Sequence, residues 1–228
     1  MNHVTFMDEQ PSKPAGEQTR RIHPPGPDGR PALFRDIQHH LLHDAAPSLW
    51  LSAIVGDRRF GESPFDTLRC LQDTPQSPAH HPEGSVWNHT MMVVDEAAKR
   101  RGESRDATAL LWAALLHDIG KAPTTRTRKG RITSYDHDRV GAELARKFLR
   151  EFTDDRAFIE RVCALILYHM QILYVEKGLP YADVEGMKAH TDVAEAALLM
   201  LCDRLGRGGS DREREARNIE AFLAKIGR

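Results

Sequence analysis

From Pro31 onward, apolar residues recur at helical spacing, and Pro, Ser and Asp rather than hairpin turns mark the segment boundaries. Three short stretches, PALFRDIQHHLL, PSLWLSAIV and SPFDTLRCL, open with Pro or Ser near the first turn. An N–H is missing or capped there without cost, so short packing helices are predicted. Longer helices are predicted over Ser85 to Arg101, Ser104 to Ile119, His137 to Phe152, Asp154 to Gln171 and Thr191 to Leu205, with a last charged helix over Asp211 to Ile226. Strand-type alternation is nearly absent; GRITSY, Gly130 to Tyr135, is the one plausible extended piece. The expected fold class is all-α.

The first thirty residues differ. They are rich in Pro, Gly and charge (PSKPAGEQ, HPPGPDGRP) and have no apolar period, so they have little to bury against chain entropy. A flexible leader over residues 1–30 and one helical domain over residues 31–228 are expected. The 228 residues, 40% of them hydrophobic, suffice for one real core.

Charge narrows the function classes. Lys plus Arg (32) and Asp plus Glu (33) nearly cancel to a net −1, so no global field draws the chain onto nucleic acid, and bulk DNA binding is not expected. The three cysteines, Cys70, Cys163 and Cys202, form no CxxC pair, which suits a reducing cytoplasm. The N-terminus has no continuous apolar signal region, and no stretch approaches the roughly 18 uninterrupted apolar residues of a membrane span. A cytoplasmic protein without membrane partners is expected.

The informative anomaly is polar residues on apolar faces. His117 continues Leu110, Ala113 and Ala114; His169 continues Val162, Leu165 and Ile166; Asp203 continues Ala196, Leu199 and Met200; His89 shares a face with Met92, Val93 and Ala97. Taken singly, each histidine is more often a hydrogen-bonded core residue than a ligand. Together, four helices aim a polar group inward, and one divalent cation would satisfy several such buried groups at once. Asp118 follows His117, and Gly120 comes two residues later, which predicts a helix C-terminus with Gly120 as a left-handed cap. Lys121 then lies near the negative helix end, where it can hold a phosphate oxygen or simply pair with the dipole. Trp87 and Trp112 are expected in the core.

WNHTMMVV, ALLHDIGK and LMLCDRLGRGG, in that order, resemble the His, His-Asp and Asp motifs of the HD phosphohydrolase superfamily. Read with HPEGSVWNHT and SYDHDRVGAELA, they are similar to the HD domain of bacterial tRNA nucleotidyltransferases, over roughly Pro64 to Ser210, with core motifs at 81–210. No Gly-Ser loop with a paired-Asp strand precedes them, so nucleotide addition is not predicted. Where that family usually has Gly-His-Glu, this chain reads Asp136, His137, Asp138, which puts an extra carboxylate beside a ligand position. A GYP motif is absent, so bis-(3′-5′)-cyclic dinucleotides are not expected substrates.

The resemblance implies one or two divalent ions, with His89, His117, Asp118 and Asp203 as ligands of the first and Asp118 bridging to His137 and His169 for the second. Mixed His and carboxylate ligands suit Mn, Fe, Co, Ni, Zn and, less comfortably, Mg. Asp118 and Lys121 are the expected catalytic pair, and His81, Arg204 and Arg207 the expected substrate contacts. His81 could act as a general acid. The basic run Arg126 to Arg131 is either a guide for an RNA end or a solvated loop. The expected substrate is a nucleotide or RNA-terminal phosphoester, with 2′,3′-cyclic phosphate suggested by the tRNA-enzyme likeness. A 5′-nucleotidase acting on mononucleotides and a non-catalytic nucleotide-sensing or partner-docking module are the competing readings.

Overall fold

The computed structural model describes residues 29–227; the expected leader falls almost wholly outside them. Twelve α-helices are present among the described residues: α1 (Arg30–His43), α2 (Pro47–Ile54), α3 (Asp66–Arg69), α4 (Val86–Lys99), α5 (Ala107–Leu116), α6 (Lys121–Thr124), α7 (His137–Arg150), α8 (Arg156–Tyr168), α9 (Gln171–Lys177), α10 (Val184–His190), α11 (Val193–Leu205) and α12 (Arg212–Lys225). The all-α expectation holds.

Local chemistry explains the starts. Pro occupies the first turn of α1 and α2. Ser85, Asp106, Asp155, Asp183, Asp192 and Asp211 each precede a helix and accept a hydrogen bond from its first-turn backbone.

The core is organised around α5. Ala109 to Leu116 are all buried, so this helix is apolar on every side and must lie at the centre. It packs against α1, α4, α8 and α11, while α7 lies along α8, and α11 joins α4 to α12. Trp112 stacks on Phe34 at 4.5 Å between ring centroids, Phe34 stacks on Phe152 at 4.6 Å, and the Trp112 indole donates to Gln38 at 3.3 Å. Trp87 is buried as well.

Several boundaries depart from expectation. The helix predicted to Gln171 breaks after Tyr168, with His169 closing α8 before α9 begins. Helix α10 was not anticipated, because the pattern around it carries a single fully buried anchor, Met187. SPFDTLRCL forms only the four residues of α3 followed by a 3₁₀ turn. Met92, expected on the face of His89, is exposed.

The run Arg156–Lys177 has mean hydropathy 1.4, apolar enough by length and composition to cross a membrane, but 61% of its apolar window is buried inside the fold. Packing of α8 against α5 and α7 accounts for that apolarity.

The extended piece is β2 (Arg131–Thr133), paired antiparallel with β1 (Arg126–Arg128), Arg126 opposite Thr133. Lys129 and Gly130 turn the hairpin with φ of 51° and 73°, the double left-handed pair that suits strand twist. Only β2 was anticipated, since the cations of β1 hide any strand pattern.

Candidate metal centre

Five helices deliver the inward-facing residues to one place. His89 comes from α4, His117 from the end of α5, His137 from the start of α7, His169 from the end of α8 and Asp203 from α11; all are buried, as is Asp118 in the turn after α5.

Gly120 corrects one expectation. Its φ of −68° and ψ of −16° are right-handed, so it is not a left-handed cap. Its need for glycine is steric instead: a Cβ there would lie 2.1 Å from the His137 carbonyl oxygen and 2.6 Å from the Gly141 amide nitrogen. The turn carrying Asp118 and the first turn of α7 touch backbone to backbone, which sets His137 against Asp118.

Main-chain acceptors fix the ring orientations. Nδ1 of His117 lies 2.9 Å from the Ala114 carbonyl, that of His137 2.7 Å from Ser134 and that of His169 2.6 Å from Ile166. A carbonyl only accepts, so each Nδ1 carries the proton and each Nε2 presents a lone pair. His89 follows the same rule through Glu83, whose Oε1 is 3.0 Å from its Nδ1, with the Gly206 carbonyl at 3.2 Å.

The four Nε2 atoms converge on Asp118. Oδ2 lies 3.2 Å from His117 and 3.7 Å from His89; Oδ1 lies 3.5 Å from His137 and 3.9 Å from His169. One carboxylate thus has a histidine pair on each oxygen. Neither oxygen accepts an aligned hydrogen bond, nor does His137 Nε2 find one, although Lys121 Nζ is 2.7 Å from Oδ2 as an ion pair. The Nε2 atoms of His89 and His117 are 3.4 Å apart, so two lone pairs face one another. Buried acceptors left facing acceptors are costly, and a divalent cation on either side of Asp118 relieves the conflict. The donors of these two triads lie within 4.8 Å of one another, and the residues fit a metal.

Electrostatics agree. Burial alone would raise the Asp118 carboxyl, but positive charge beside it, on His117 when that ring is protonated in place of binding a metal and on Lys121, holds it well below the usual carboxylate range. Asp203 is likewise lowered against burial, chiefly by Arg207, and His89 is raised against burial by Asp203 at 3.0 Å and by Glu83, so without a metal a proton on its Nε2 stands where a cation would bind. Burial pushes His169 down to about 4 and lowers His137, so both are neutral and able to ligate at neutral pH.

Lys121 is buried and donates to Gln76 Oε1 at 2.7 Å, so it is aimed at the centre by two partners. Arg207, one turn beyond Asp203, pairs with its Oδ2 at 2.9 Å and lines the same cavity. Arg204 does not reach the cavity. Adjacent to Asp203 on the helix, it points about 100° away and is held by Glu215 at 2.9 Å and Glu176 at 2.5 Å, so its expected substrate contact is replaced by a structural one. His81 lines the cavity. Burial and the Lys121 charge hold it at about 4, and its Nδ1 is 2.8 Å from Glu83. With Nδ1–H given to Glu83, His81 offers an acceptor at Nε2 rather than the acid proton first expected.

Glu83 escaped the sequence reading because it sits in a loop without a period. Its Oε1 faces both His81 and His89 while Oε2 accepts from the Gly208 amide at 3.0 Å. Hydrogen bonds from His89, from the backbone amides of Gly208 and of Glu83 itself, and from His81 hold it at about 2, against the effect of burial.

The cavity above these groups has a volume of about 920 Å³ and reaches from Asp118 to the β-hairpin and α9. Residues 86–208 match the family described as HD domain. The chain belongs to the HD-domain family. HD domains are metal-dependent phosphohydrolases, and the buried His and Asp groups here are able to hold such a metal. The chain is 35% identical over 186 residues to an A-adding tRNA nucleotidyltransferase of Deinococcus radiodurans, covering 78% of the chain and 40% of that protein. It is 32% identical over 148 residues to a multifunctional CCA protein of Halorhodospira halophila, covering 62% of the chain and 34% of that protein. A multifunctional CCA protein of an Azoarcus strain is 31% identical over 164 residues, 68% of the chain and 38% of the relative. The chain therefore spans about a third to two fifths of the length of these relatives.

Proposed function

We propose that this HD domain hydrolyses a phosphoester at an RNA end or on a nucleotide, with a terminal 2′,3′-cyclic phosphate as the favoured substrate. The observation that carries the reading is Asp118, whose two buried oxygens have no aligned hydrogen bond and each face a pair of histidine lone pairs. His89, His117, Asp118 and Asp203 would hold one divalent ion, and Asp118, His137 and His169 a second. Such ions supply Lewis acidity, neutralising phosphate charge and activating water without a covalent nucleophile.

The protein's own groups do the rest. Lys121 turns from Asp118 and Gln76 to a phosphoryl oxygen, and Arg207 offers a second charged donor. His81, its Nδ1–H fixed by Glu83, accepts a proton at Nε2. The hairpin favours an RNA end over a free mononucleotide. Arg126, Arg128, Lys129 and Arg131 are exposed, and Arg128, Lys129 and Arg131 have no carboxylate partner among the described residues. Such cations suit the phosphates of a strand continuing out of the cavity. The name of the Deinococcus relative, a tRNA nucleotidyltransferase, also supports RNA, and a cytoplasmic setting goes with that substrate.

The test is metal content together with hydrolysis of an oligoribonucleotide ending in a 2′,3′-cyclic phosphate, of 2′,3′-cyclic mononucleotides and of 5′-mononucleotides, for wild type and Asp118→Ala. Metal-dependent turnover that Asp118→Ala abolishes, fastest on the oligonucleotide, is expected. Preference for 5′-mononucleotides would replace the substrate, and inertness with every ion would overturn the hydrolase.

A further inference from the structure

Among the described residues, four large hydrophobic side chains are exposed: Leu49, Met92, Tyr135 and Tyr181. The first two, on α2 and α4, do not line the cavity. Tyr135, 73% exposed, and Tyr181, 61% exposed, both line the cavity of the metal centre. Isolated exposed aromatics are ordinary; two at the mouth of one cavity, next to a candidate phosphate site, are not.

Each is tied to the centre by the chain. Tyr135 lies between β2 and His137. Tyr181, between α9 and α10, meets Tyr174 edge-on at 5.7 Å, and Tyr174 is fixed by donating its hydroxyl to Asp138 Oδ2 at 3.1 Å. The first turn of α7 therefore holds a candidate ligand at His137 and, one residue on, the anchor of an aromatic wall. The Asp138 carboxylate thereby positions the aromatic wall through Tyr174. Met170, Leu173 and Leu179 add apolar surface beside the tyrosines. A cavity of about 920 Å³ is far larger than one phosphoryl group needs, and its lining includes the rings of Tyr135 and Tyr181.

We propose that Tyr135 and Tyr181 form a stacking subsite for the base of the nucleotide whose phosphoester enters the metal centre. The inference deepens the RNA-end reading above and rests on it for orientation. The terminal base lies against the tyrosines, its phosphate reaches Lys121 and Arg207, and the preceding phosphates leave over the hairpin cations. Because a stacking platform accepts any base, discrimination among the four bases is weak.

The test reads binding, which does not depend on turnover. A 3′-phosphorylated ribotrinucleotide and the same trimer with an abasic terminal residue are titrated against the manganese-loaded full chain, as wild type, Tyr135→Ala, Tyr181→Ala and Tyr181→Phe. Wild type is expected to bind the base-bearing trimer about tenfold tighter. Either alanine variant should lose most of that preference, and Tyr181→Phe should keep it because the ring remains. Equal binding of the two trimers by wild type, or a preference that survives both alanine substitutions, overturns the subsite. A base preference with no hydrolysis of any phosphoester would sink the proposed activity and leave the subsite standing.

Discussion

Glu83 carries one carboxylate oxygen between the Nδ1 atoms of His81 and His89, at 2.8 and 3.0 Å. A charged acceptor there fixes the tautomer of His89 and makes its Nε2 a better ligand than the Gly206 carbonyl at 3.2 Å could alone. Glu83→Gln should therefore weaken metal binding by about 10- to 100-fold, read by competition with a chelator; unchanged affinity would mean that Gly206 suffices. Asp136 makes a separate prediction. Its φ of 59° is left-handed, a region that Asp tolerates better than most residues. Asp136 lines the cavity, where its negative charge would repel the anionic substrate proposed above. Asp136→Asn keeps the backbone tolerance and removes the charge, so KM for a phosphoester should fall a few-fold at low ionic strength, and the difference should vanish in high salt. His89, His117, His169 and Asp203 were legible because a polar residue on an apolar stripe is conspicuous, whereas His137 was reached only through the motif likeness. Glu83 and Gln76 were not legible, because loop residues are placed by contacts that no period encodes.

At the level of elements, the centre depends on how closely the Asp118 turn approaches α7. Gly120→Ala would put a methyl 2.1 Å from the His137 carbonyl oxygen, against backbone rather than a flexible side chain. The turn and α7 must separate, at a cost of about 1–3 kcal/mol. His137 would then recede from Asp118. A lowered urea midpoint together with loss of about one metal equivalent per chain is expected, and a drop in stability with full metal content would detach Gly120 from the centre. The long helices could be read from sequence because Asp and Ser caps and wide apolar faces define them locally. The break of α8 at His169 could not, since the apolar pattern runs through it and only the convergence on Asp118 requires the chain to turn. The same limit applies to Arg204, whose position beside Asp203 suggested the substrate while helix geometry turns it toward α12.

Across the whole molecule, ionic hubs tie the C-terminal helix to the body. Glu96 on α4 is buried and receives Arg212 from α12 at 2.9 Å, Arg100 at 2.6 Å and Lys99 at 2.8 Å. Burial opposes its charge, but these three donors win and hold it at about 2, below its ordinary value of 4.5. Between those values the unfolded chain binds a proton that the folded chain does not. The stabilisation is therefore complete above about pH 4.5 and disappears as pH falls through about 2. Glu96→Gln leaves the cations without a buried charge partner, and should cost about 1–3 kcal/mol at pH 7. Because a protonated Glu96 resembles glutamine, the gap between wild type and variant should close as pH falls from about 4.5 toward 2. Urea unfolding of the metal-free protein in chelator isolates this effect from ligand protonation at the centre. A gap that stays constant over that range would show that Glu96 acts through packing, and that α12 is held on the domain by Arg204 with Glu215 and by its apolar face at Ile219 and Phe222.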